Sequence, residues 1–243
     1  MRIFKYSASY FRFACFFFIT EGDLKILWYA LRYFYRCLKL YNNPAHNCIL
    51  DEKPWMSFPV IKFLEKIINN DFRVFEYGSG GSTLFFSQRV KELVSVEHDR
   101  NWYQVVKEML ANRGCININY KLVIPTYTDH YDHALVSIPD AYISADDNSV
   151  GMSYEDYSKT ILAYPDNYFD LVVVDGRCRP SCMFHSLNKV KVNGFLLLDQ
   201  SERKYYLEKM ESYFKESDWS KVSISGPLPY SLHFTKATFF KKK

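Results

Sequence analysis

Apolar residues in this chain recur in two alternating patterns. Short buried-type runs, bounded by glycine or polar residues, are typical of strands covered on both faces. Between them lie segments with apolar residues at helical spacing. Such alternation predicts a parallel sheet with helices on both faces, because parallel neighbours need crossover connections. The first half of the pattern predicts strands at 72–77, 92–97 and 117–124 and helices at 57–69, 82–90 and 99–113.

The alternation resumes after an irregular stretch. It predicts helices at 153–164, 180–191 and 202–216 and strands at 169–174, 195–198, 220–225 and 233–240. The last two strands are joined by Gly226-Pro-Leu-Pro229, which is too short for a crossover, so the last strand should be antiparallel. The predicted fold class is α/β: a Rossmann-like, doubly wound, seven-stranded sheet, mostly parallel with an antiparallel last strand, plus an N-terminal helical extension.

The N-terminal part differs from the rest. Residues 1–54 are predicted to be a basic amphipathic helical extension with a linker from Asn42 to Pro54, and residues 55–243 the main domain. In the helix predicted at 24–41, four cations share one face and apolar residues cover much of the remainder. This pattern fits an interfacial membrane helix, and equally a helix packed on its own domain or on a second subunit. The four cations are Lys25, Arg32, Arg36 and Lys39.

The charge is concentrated in the same region. Residues 1–41 hold seven Lys and Arg against Glu21 and Asp23, or +5, whereas the whole chain carries +4, so the remainder sums to −1. This balance argues against a nucleic-acid partner for the main domain and locates attraction to anionic surfaces at the N-terminus. The six scattered cysteines fit a reducing compartment. We expect a cytoplasmic protein, attached peripherally to the inner membrane surface if residues 1–41 bind lipid.

Residues 125–150 interrupt the strand and helix rhythm. A connection this long is either a substrate-binding loop or a disordered insertion. It contains Asp129-His-Tyr-Asp-His133, in which His130 is a candidate catalytic base.

A glycine turn follows the first predicted strand, in the sequence Val74-Phe-Glu-Tyr-Gly-Ser-Gly-Gly-Ser-Thr83. Gly78 and Gly80 allow a sharp turn and a close approach to a ligand, and Ser82 is a candidate N-cap for the next helix. In open parallel sheets the ligand lies beyond the carboxyl ends of the strands, where Glu97, Asp175 and Asp199 also lie. Glu97 is suitably placed to accept hydrogen bonds from ribose hydroxyls.

Two residues discriminate between cofactors. A dinucleotide-binding turn calls for glycine where this chain has Thr83, and it does not call for an acid at Glu76. The acid followed by Gly-x-Gly resembles motif I of the class I S-adenosylmethionine-dependent methyltransferases. From Trp55 to Phe240 the chain is most similar to small bacterial-type members with Phe-Glu-x-Gly-Ser-Gly-x-Ser-Thr, Ser-Val-Glu-His-Asp, Val-Asp-Gly-Arg and Leu-Asp-x-Ser-x-Arg motifs.

The resemblance implies S-adenosylmethionine as cofactor, with the methionine part at the glycine turn, the ribose on Glu97 and the adenine near His98. The implied cofactor-binding residues are Glu76, Tyr77, Gly78, Ser79, Gly80, Gly81, Ser82, Glu97, His98 and Asp175.

The chemistry at the strand ends has two interpretations. By similarity to catechol-type O-methyltransferases, Asp175, Asp199 and Gln200 would bind Mg²⁺ or another divalent cation that acidifies the acceptor hydroxyl. Without a metal, Asp175 or Asp199 would act as general base, assisted by Arg177 or Arg179 on an anionic acceptor.

The expected function is S-adenosylmethionine-dependent methyl transfer to oxygen of a small molecule or glycan. The resemblance adds a link to surface-polysaccharide synthesis. Two other functions stay open: an NAD-dependent oxidoreductase, and a non-catalytic module that keeps the fold for interaction. Expected partners are the small-molecule or glycan acceptor, no nucleic acid, a membrane or protein bound through residues 1–41, and a second copy of the chain.

Overall fold

The computed structural model describes residues 2–41 and 43–243, with side chains from Tyr6 onward. Asn42, the first residue of the predicted linker, and the side chains of Arg2 and Lys5, which belong to the N-terminal charge, therefore lie outside the described residues.

Seven strands form one sheet in the order β3-β2-β1-β6-β7-β9-β8. Only β9 runs against the others, since it is antiparallel to both of its neighbours. The predicted α/β fold class and its antiparallel last strand are therefore confirmed. The strands are β1 (Arg73–Tyr77), β2 (Glu92–Glu97), β3 (Ile118–Leu122), β6 (Phe169–Val174), β7 (Val190–Leu198), β8 (Trp219–Pro227) and β9 (Phe234–Lys242), while β4 (Thr126–Tyr127) and β5 (Met152–Ser153) pair separately.

Helices cover both faces of the sheet because successive strand side chains point in opposite directions. In β1, Val74 packs with α3 and α4, whereas Phe75 and Tyr77 pack on the opposite side, with α7 and Tyr157. The helices are α1 (Arg2–Glu21), α2 (Lys25–Leu40), α3 (Phe58–Ile67), α4 (Gly81–Ser87), α5 (Arg100–Asn112), α6 (Glu155–Lys159) and α7 (Arg179–Ser186).

Helices α1 and α2 form a hairpin that packs on the end of the sheet. The hydroxyl of Tyr10 donates to the carbonyl of Ala30 at 3.0 Å, which ties the two helices together. The ring of Tyr33 stacks on Phe58 at 4.8 Å between centroids, and Phe234 of β9 shares the same apolar cluster. One flank of the amphipathic helix α2 is thus buried against the main domain. Within the described residues, no helix is long and apolar enough to cross a membrane.

Three predicted helices differ from those observed. The helix predicted at 202–216 is wrong: two short 3-10 turns, Lys204–Tyr206 and Glu211–Tyr213, replace it. The physical reason is that Arg203 and Tyr205 line a cleft while Met210 is fully buried in the core, so the chain bends between them. The other two are shortened: the helix predicted at 153–164 is α6 followed by the 3-10 turn Thr160–Ala163, and the one at 180–191 ends at Ser186.

The 125–150 segment has short elements of its own. β4 pairs with β5, so Thr126 and Ser153 lie side by side at the two ends of the segment. Two 3-10 turns, His133–Leu135 and Asp147–Ser149, lie between them. Because its ends are joined, the segment folds back over the sheet edge, and its residues Ser144 to Asp147 reach the cleft described next.

Candidate functional site

A cleft of about 700 Å³ opens at the carboxyl ends of β1, β2, β6 and β7. This is the edge at which parallel α/β sheets bind their ligands. The lining residues are Cys48, Trp55, Gly78–Ser82, Glu97, His98, Asp99, Trp102, Ser144–Asp147, Asp175–Arg177, Arg179, Gln200, Arg203, Tyr205 and Tyr206.

The glycine turn forms the floor of this cleft. Gly78 has φ +87°, and a Cβ there would lie 2.8 Å from the Cα of Gly176. Glycine is therefore required by both the backbone conformation and the close packing of the β1 and β6 ends. A Cβ on Gly81 would lie 2.1 Å from the carbonyl oxygen of Cys48, so the predicted linker covers the start of α4.

Thr83 has a structural role that the sequence did not reveal. Its hydroxyl accepts from the N–H of Gly80 at 2.9 Å and donates to Oε2 of Glu76 at 2.6 Å. The prediction of Ser82 as N-cap is wrong, because α4 begins at Gly81 with Gly80 as N-cap, two residues earlier. Thr83 at the third helical position instead satisfies the N-cap N–H, as in half of a capping box.

Glu76 is a fully buried carboxyl beneath the turn. Its Oε2 accepts from Thr83 and from the hydroxyl of Ser95, both at 2.6 Å, while Oε1 is buried without a partner. Burial raises the pKa of Glu76 to about 7. A buried acceptor with no donor is costly unless a ligand supplies one, so Glu76 is suited to receive a donor group.

Glu97 is the most heavily hydrogen-bonded carboxylate of the cleft. Oε2 accepts from the N–H and hydroxyl of Ser79 at 3.0 and 2.7 Å, and Oε1 from the N–H groups of His98 and Asp99 at 2.8 and 2.9 Å. Burial alone would raise its pKa, but His98 and the N–H of Asp99 together lower the pKa of Glu97 to about 2. Glu97 is therefore an anion at any physiological pH.

Ser79 joins the turn to two aromatic residues. Since the Ser79 hydroxyl donates to Glu97, Tyr120 must donate to Ser79 across 2.7 Å. The indole Nε1 of Trp102 donates to the carbonyl of Ser79 at 2.9 Å, which holds the indole beside Gly80. The turn is thus braced from β3 and from α5.

A chain of contacts leads from Glu97 to the 125–150 segment. Nδ1 of His98 lies 2.8 Å from Oε1 of Glu97, and Nε of Arg177 donates to Nε2 of His98 at 3.1 Å. The guanidinium of Arg177 also pairs with Asp146 at 2.6 Å. Arg177, expected to assist catalysis, is thus committed to holding the segment against the cleft.

Asp175 and Asp199 are close together but differ in exposure. Asp175 lines the cleft, whereas Asp199 is 1% exposed and does not line it. Burial and then the charge of Asp175 raise the pKa of Asp199 well above its ordinary value. Burial raises the pKa of Asp175 as well, but to a smaller extent, because Arg179 stabilises its carboxylate through a 3.0 Å ion pair, so Asp199 is the carboxyl of the pair that more readily keeps a proton.

The predicted metal site does not fit these residues. Among the described residues, no group of three or more His, Cys, Asp or Glu side chains is arranged to hold an ion. Arg179 donates to the carboxylate of Asp175 and to the carbonyl oxygens of Asp175, Gly176 and Asp199. A buried guanidinium thus supplies the positive charge between the strand ends. The assignment of Asp175, Asp199 and Gln200 to a divalent cation is not supported.

Two other predicted site residues lie away from the cleft. The ring of Tyr77 is buried in the core, where its hydroxyl donates to the carbonyl of Ser158 at 2.6 Å. His130 is exposed and does not line the cleft, so the structure gives no support to its role as a base.

Sequence analysis missed several cleft residues, because they come from irregular segments and are brought in by tertiary contacts. The Leu-Asp-x-Ser-x-Arg motif, which ends at Arg203, was a sequence signal for that residue. The missed residues are Cys48, Trp55, Asp146, Arg203, Tyr205 and Tyr206.

The fold is that of the class I S-adenosylmethionine-dependent methyltransferases, as the sequence resemblance predicts. A proposed O-methyltransferase from Klebsiella pneumoniae superimposes with a TM-score of 0.56 at 14% identity, over 91% of this chain and 100% of that one. A proposed methyltransferase from Streptococcus mutans, solved with S-adenosylhomocysteine, gives 0.51 at 11% identity, over 74% and 94%. An rRNA methylase from Streptococcus thermophilus gives 0.50 at 11% identity, over 76% and 96%. No protein-family model and no curated protein matches the sequence.

Proposed function

We propose that this protein is an S-adenosylmethionine-dependent methyltransferase that acts on a hydroxyl group of a small molecule or glycan. The observation that carries the proposal is the position of the Asp175 carboxylate, which faces the same cleft as the glycine turn and Glu97. Bound S-adenosylhomocysteine in the Streptococcus mutans structure and the O-methyltransferase description of the Klebsiella pneumoniae protein support it.

The cleft residues fit the cofactor's parts. The Glu97 carboxylate is a charged acceptor for ribose hydroxyls. The hydroxyl of Ser79 now donates to Oε2 of Glu97, and this hydrogen bond must break for a ribose hydroxyl to donate there instead. Glu76 lies beneath the turn and does not line the cleft, but its unpartnered Oε1 is a buried acceptor suited to an ammonium donor of the methionine part. When bound, the cofactor supplies an electrophilic methyl group on a sulfonium.

The residues of the chain then have to orient the acceptor and remove its proton. Methyl transfer to the acceptor oxygen would release the cofactor as its neutral thioether, so the chain's own task is to orient that oxygen and to take its proton. The hydroxyl proton passes to the carboxylate of Asp175. The guanidinium of Arg179 keeps Asp175 in place through their ion pair.

The acceptor side of the cleft carries one exposed cation. Arg203 follows β7, lines the cleft and contacts the hydroxyl of Tyr206 at 3.3 Å. Among the described residues, no carboxylate lies within ion-pair distance of Arg203, whereas Arg177 and Arg179 each have one. An acidic acceptor, such as a uronic acid or a phosphorylated sugar, would satisfy this charge.

A nucleic-acid acceptor is the main competitor, because an rRNA methylase shares the fold. The main domain opposes it on charge: the residues after 41 sum to −1, and the cleft itself contains Asp146 and Asp147. A phosphate backbone is normally bound by clustered Lys and Arg. A small or glycan acceptor is therefore favoured.

Two measurements test the proposal. Calorimetry should show binding of S-adenosylhomocysteine and none of NAD⁺, and Glu97→Ala should abolish binding while circular dichroism shows an intact fold. Transfer of a labelled methyl group should then be measured to acidic glycans, neutral glycans and RNA. Tight NAD⁺ binding would establish the oxidoreductase instead. If Glu97→Ala abolished cofactor binding but left the cellular activity intact, the protein would be the non-catalytic module.

A further inference from the structure

Helix α2 exposes an apolar stripe that nothing in the described chain covers. Leu24, Trp28, Leu31 and Tyr35 recur at positions i, i+4, i+7 and i+11, which lie on one face of a helix. Leu31 and Tyr35 are 70% and 75% exposed. At the end of α1, Phe16 and Ile19 are also exposed, at 59% and 77%. We call the surface formed by these six residues the apolar face of the hairpin.

The apolar face is a different flank of α2 from the one that packs on the domain. The buried residues of α2 are Ile26, Ala30, Tyr33 and Cys37, which lie on the opposite side of the helix. Packing of α2 on its own domain, one of the two interpretations of the sequence, thus accounts for most of its apolar residues but leaves Trp28, Leu31 and Tyr35 exposed. Several large apolar side chains exposed on one helix face are a feature that marks interaction sites.

A row of cations borders the apolar face. Lys25, Arg32, Arg36 and Lys39 recur at i, i+7, i+11 and i+14, about a quarter turn around the helix from the apolar stripe. The guanidinium of Arg32 lies 5.2 Å from the ring centroid of Trp28, so the two rows meet there, whereas that of Arg36 lies 4.8 Å from the ring of Phe58, on the side of the main domain. Among the described residues, no carboxylate lies within ion-pair distance of these cations.

We infer that the apolar face docks on an anionic lipid bilayer, with α2 lying in the headgroup region and its cations on lipid phosphates. An exposed aromatic and aliphatic stripe beside an unpaired basic row is the pattern of an interfacial helix. A second copy of the chain is a poorer occupant. A two-fold contact through the same face would bring the two basic rows of +4 each towards one another.

The bilayer proposal does not depend on the enzymatic one, since neither α1 nor α2 lines the cleft. It is tested with the full chain and two kinds of vesicle: phosphatidylglycerol mixed with phosphatidylcholine, and phosphatidylcholine alone. We expect co-sedimentation with the anionic vesicles, weakened by high salt. Arg32→Gln with Lys39→Gln should weaken binding about fivefold for each cation removed.

A second variant addresses the apolar contribution. Leu31→Ser with Tyr35→Ser should weaken binding to anionic vesicles tenfold or more. Brominated lipid should quench the tryptophan fluorescence of the wild type more strongly than that of Trp28→Phe. The matched control is Lys107→Gln with Ile116→Ser, which removes an exposed cation and an apolar residue that is 97% exposed on the main domain. This control should bind as wild type.

The proposal is overturned if the wild type shows no preference for anionic vesicles, or if both α2 variants bind them as well as the control does. Sedimentation velocity tests whether a second copy of the chain, rather than a bilayer, covers the apolar face. A wild-type dimer that Leu31→Ser with Tyr35→Ser dissociates, together with no vesicle binding, would assign the apolar face to a second copy. Unchanged binding of S-adenosylhomocysteine by the variants would show that they are folded.

Discussion

Asp146, from the irregular 125–150 segment, lies 2.6 Å from the guanidinium of Arg177, which directly follows the glycine at the end of β6. Arg177 also contacts His98, and His98 contacts the ribose-binding candidate Glu97. One ion pair therefore couples the position of the segment to the floor of the cleft.

Asp146→Asn should loosen that coupling. We expect the catalytic efficiency for the acceptor to fall severalfold and amide exchange in residues 142–150 to quicken, while affinity for S-adenosylhomocysteine changes less than threefold. Steady-state kinetics and hydrogen exchange measure these effects. Asp147→Asn is the matched control, since this neighbour also lines the cleft but has no ion pair in the described structure. Equal effects of the two substitutions would contradict the coupling.

Glu76→Gln should change how stability depends on pH. The folded-state pKa of about 7 lies above the ordinary value of 4.5, so the folded state keeps a proton that the unfolded state loses. The free energy of unfolding therefore falls as pH rises from 4.5 through 7, by on the order of 3 kcal/mol in total. The glutamine variant lacks this loss and should have the flatter profile, becoming relatively more stable at pH 8.

Thermal unfolding between pH 5 and 8 measures the effect of Glu76→Gln. Glu208→Gln, which removes an exposed carboxylate, should follow the wild-type profile. Parallel profiles for wild type and Glu76→Gln would show that Glu76 is ionised throughout. Cofactor affinity should fall in Glu76→Gln even where stability rises. The amide oxygen is expected to take the place of Oε2, which accepts from Thr83 and Ser95, and the N–H₂ that then replaces Oε1 cannot accept from a ligand donor.

Asp175→Asn and Asp199→Asn should have unequal effects. Asp175 faces the cleft as a carboxylate, so its amide variant should lose about 10²-fold or more in kcat, with cofactor affinity retained. Asp199 more readily keeps a proton, and asparagine closely resembles a protonated carboxyl, so its variant should lose less than about tenfold. The pH profile of kcat should lose its acid limb only in Asp175→Asn. The reverse ranking would make Asp199 the base.

Arg203→Gln should alter acceptor selection. We expect KM for an acidic acceptor to rise about tenfold, because the exposed guanidinium loses its anionic partner, while KM for a neutral analogue and kcat stay within twofold. Kinetics with a matched acidic and neutral pair give the comparison. Lys209→Gln, an exposed cation outside the cleft, should leave both constants unchanged. A similar rise for the neutral analogue would assign Arg203 a purely structural role.

The extent of sequence prediction differs between regular and irregular segments. Buried strands such as Phe169–Val174 and the turn at Gly78 were predictable, because burial, strand–helix alternation and the absence of a Cβ are local constraints. The helix predicted at 202–216 failed although its apolar spacing suits a helix. Arg203 lines the cleft whereas Met210 is buried in the core, and a continuous helix would have placed these two residues on the same face.

The sequence by itself determined the fold class, the place of the site at the strand ends, and the choice of Glu76 and Glu97, since each depends on order along the chain. Tertiary structure alone made the two strand-end carboxyls unequal. Asp175 and Asp199 follow equivalent strands, and only the burial of Asp199 and the position of Arg179 distinguish them. It likewise decided that Arg177 holds a loop and that Leu31 and Tyr35 of α2 face outward, because pairing and exposure depend on which distant segments meet.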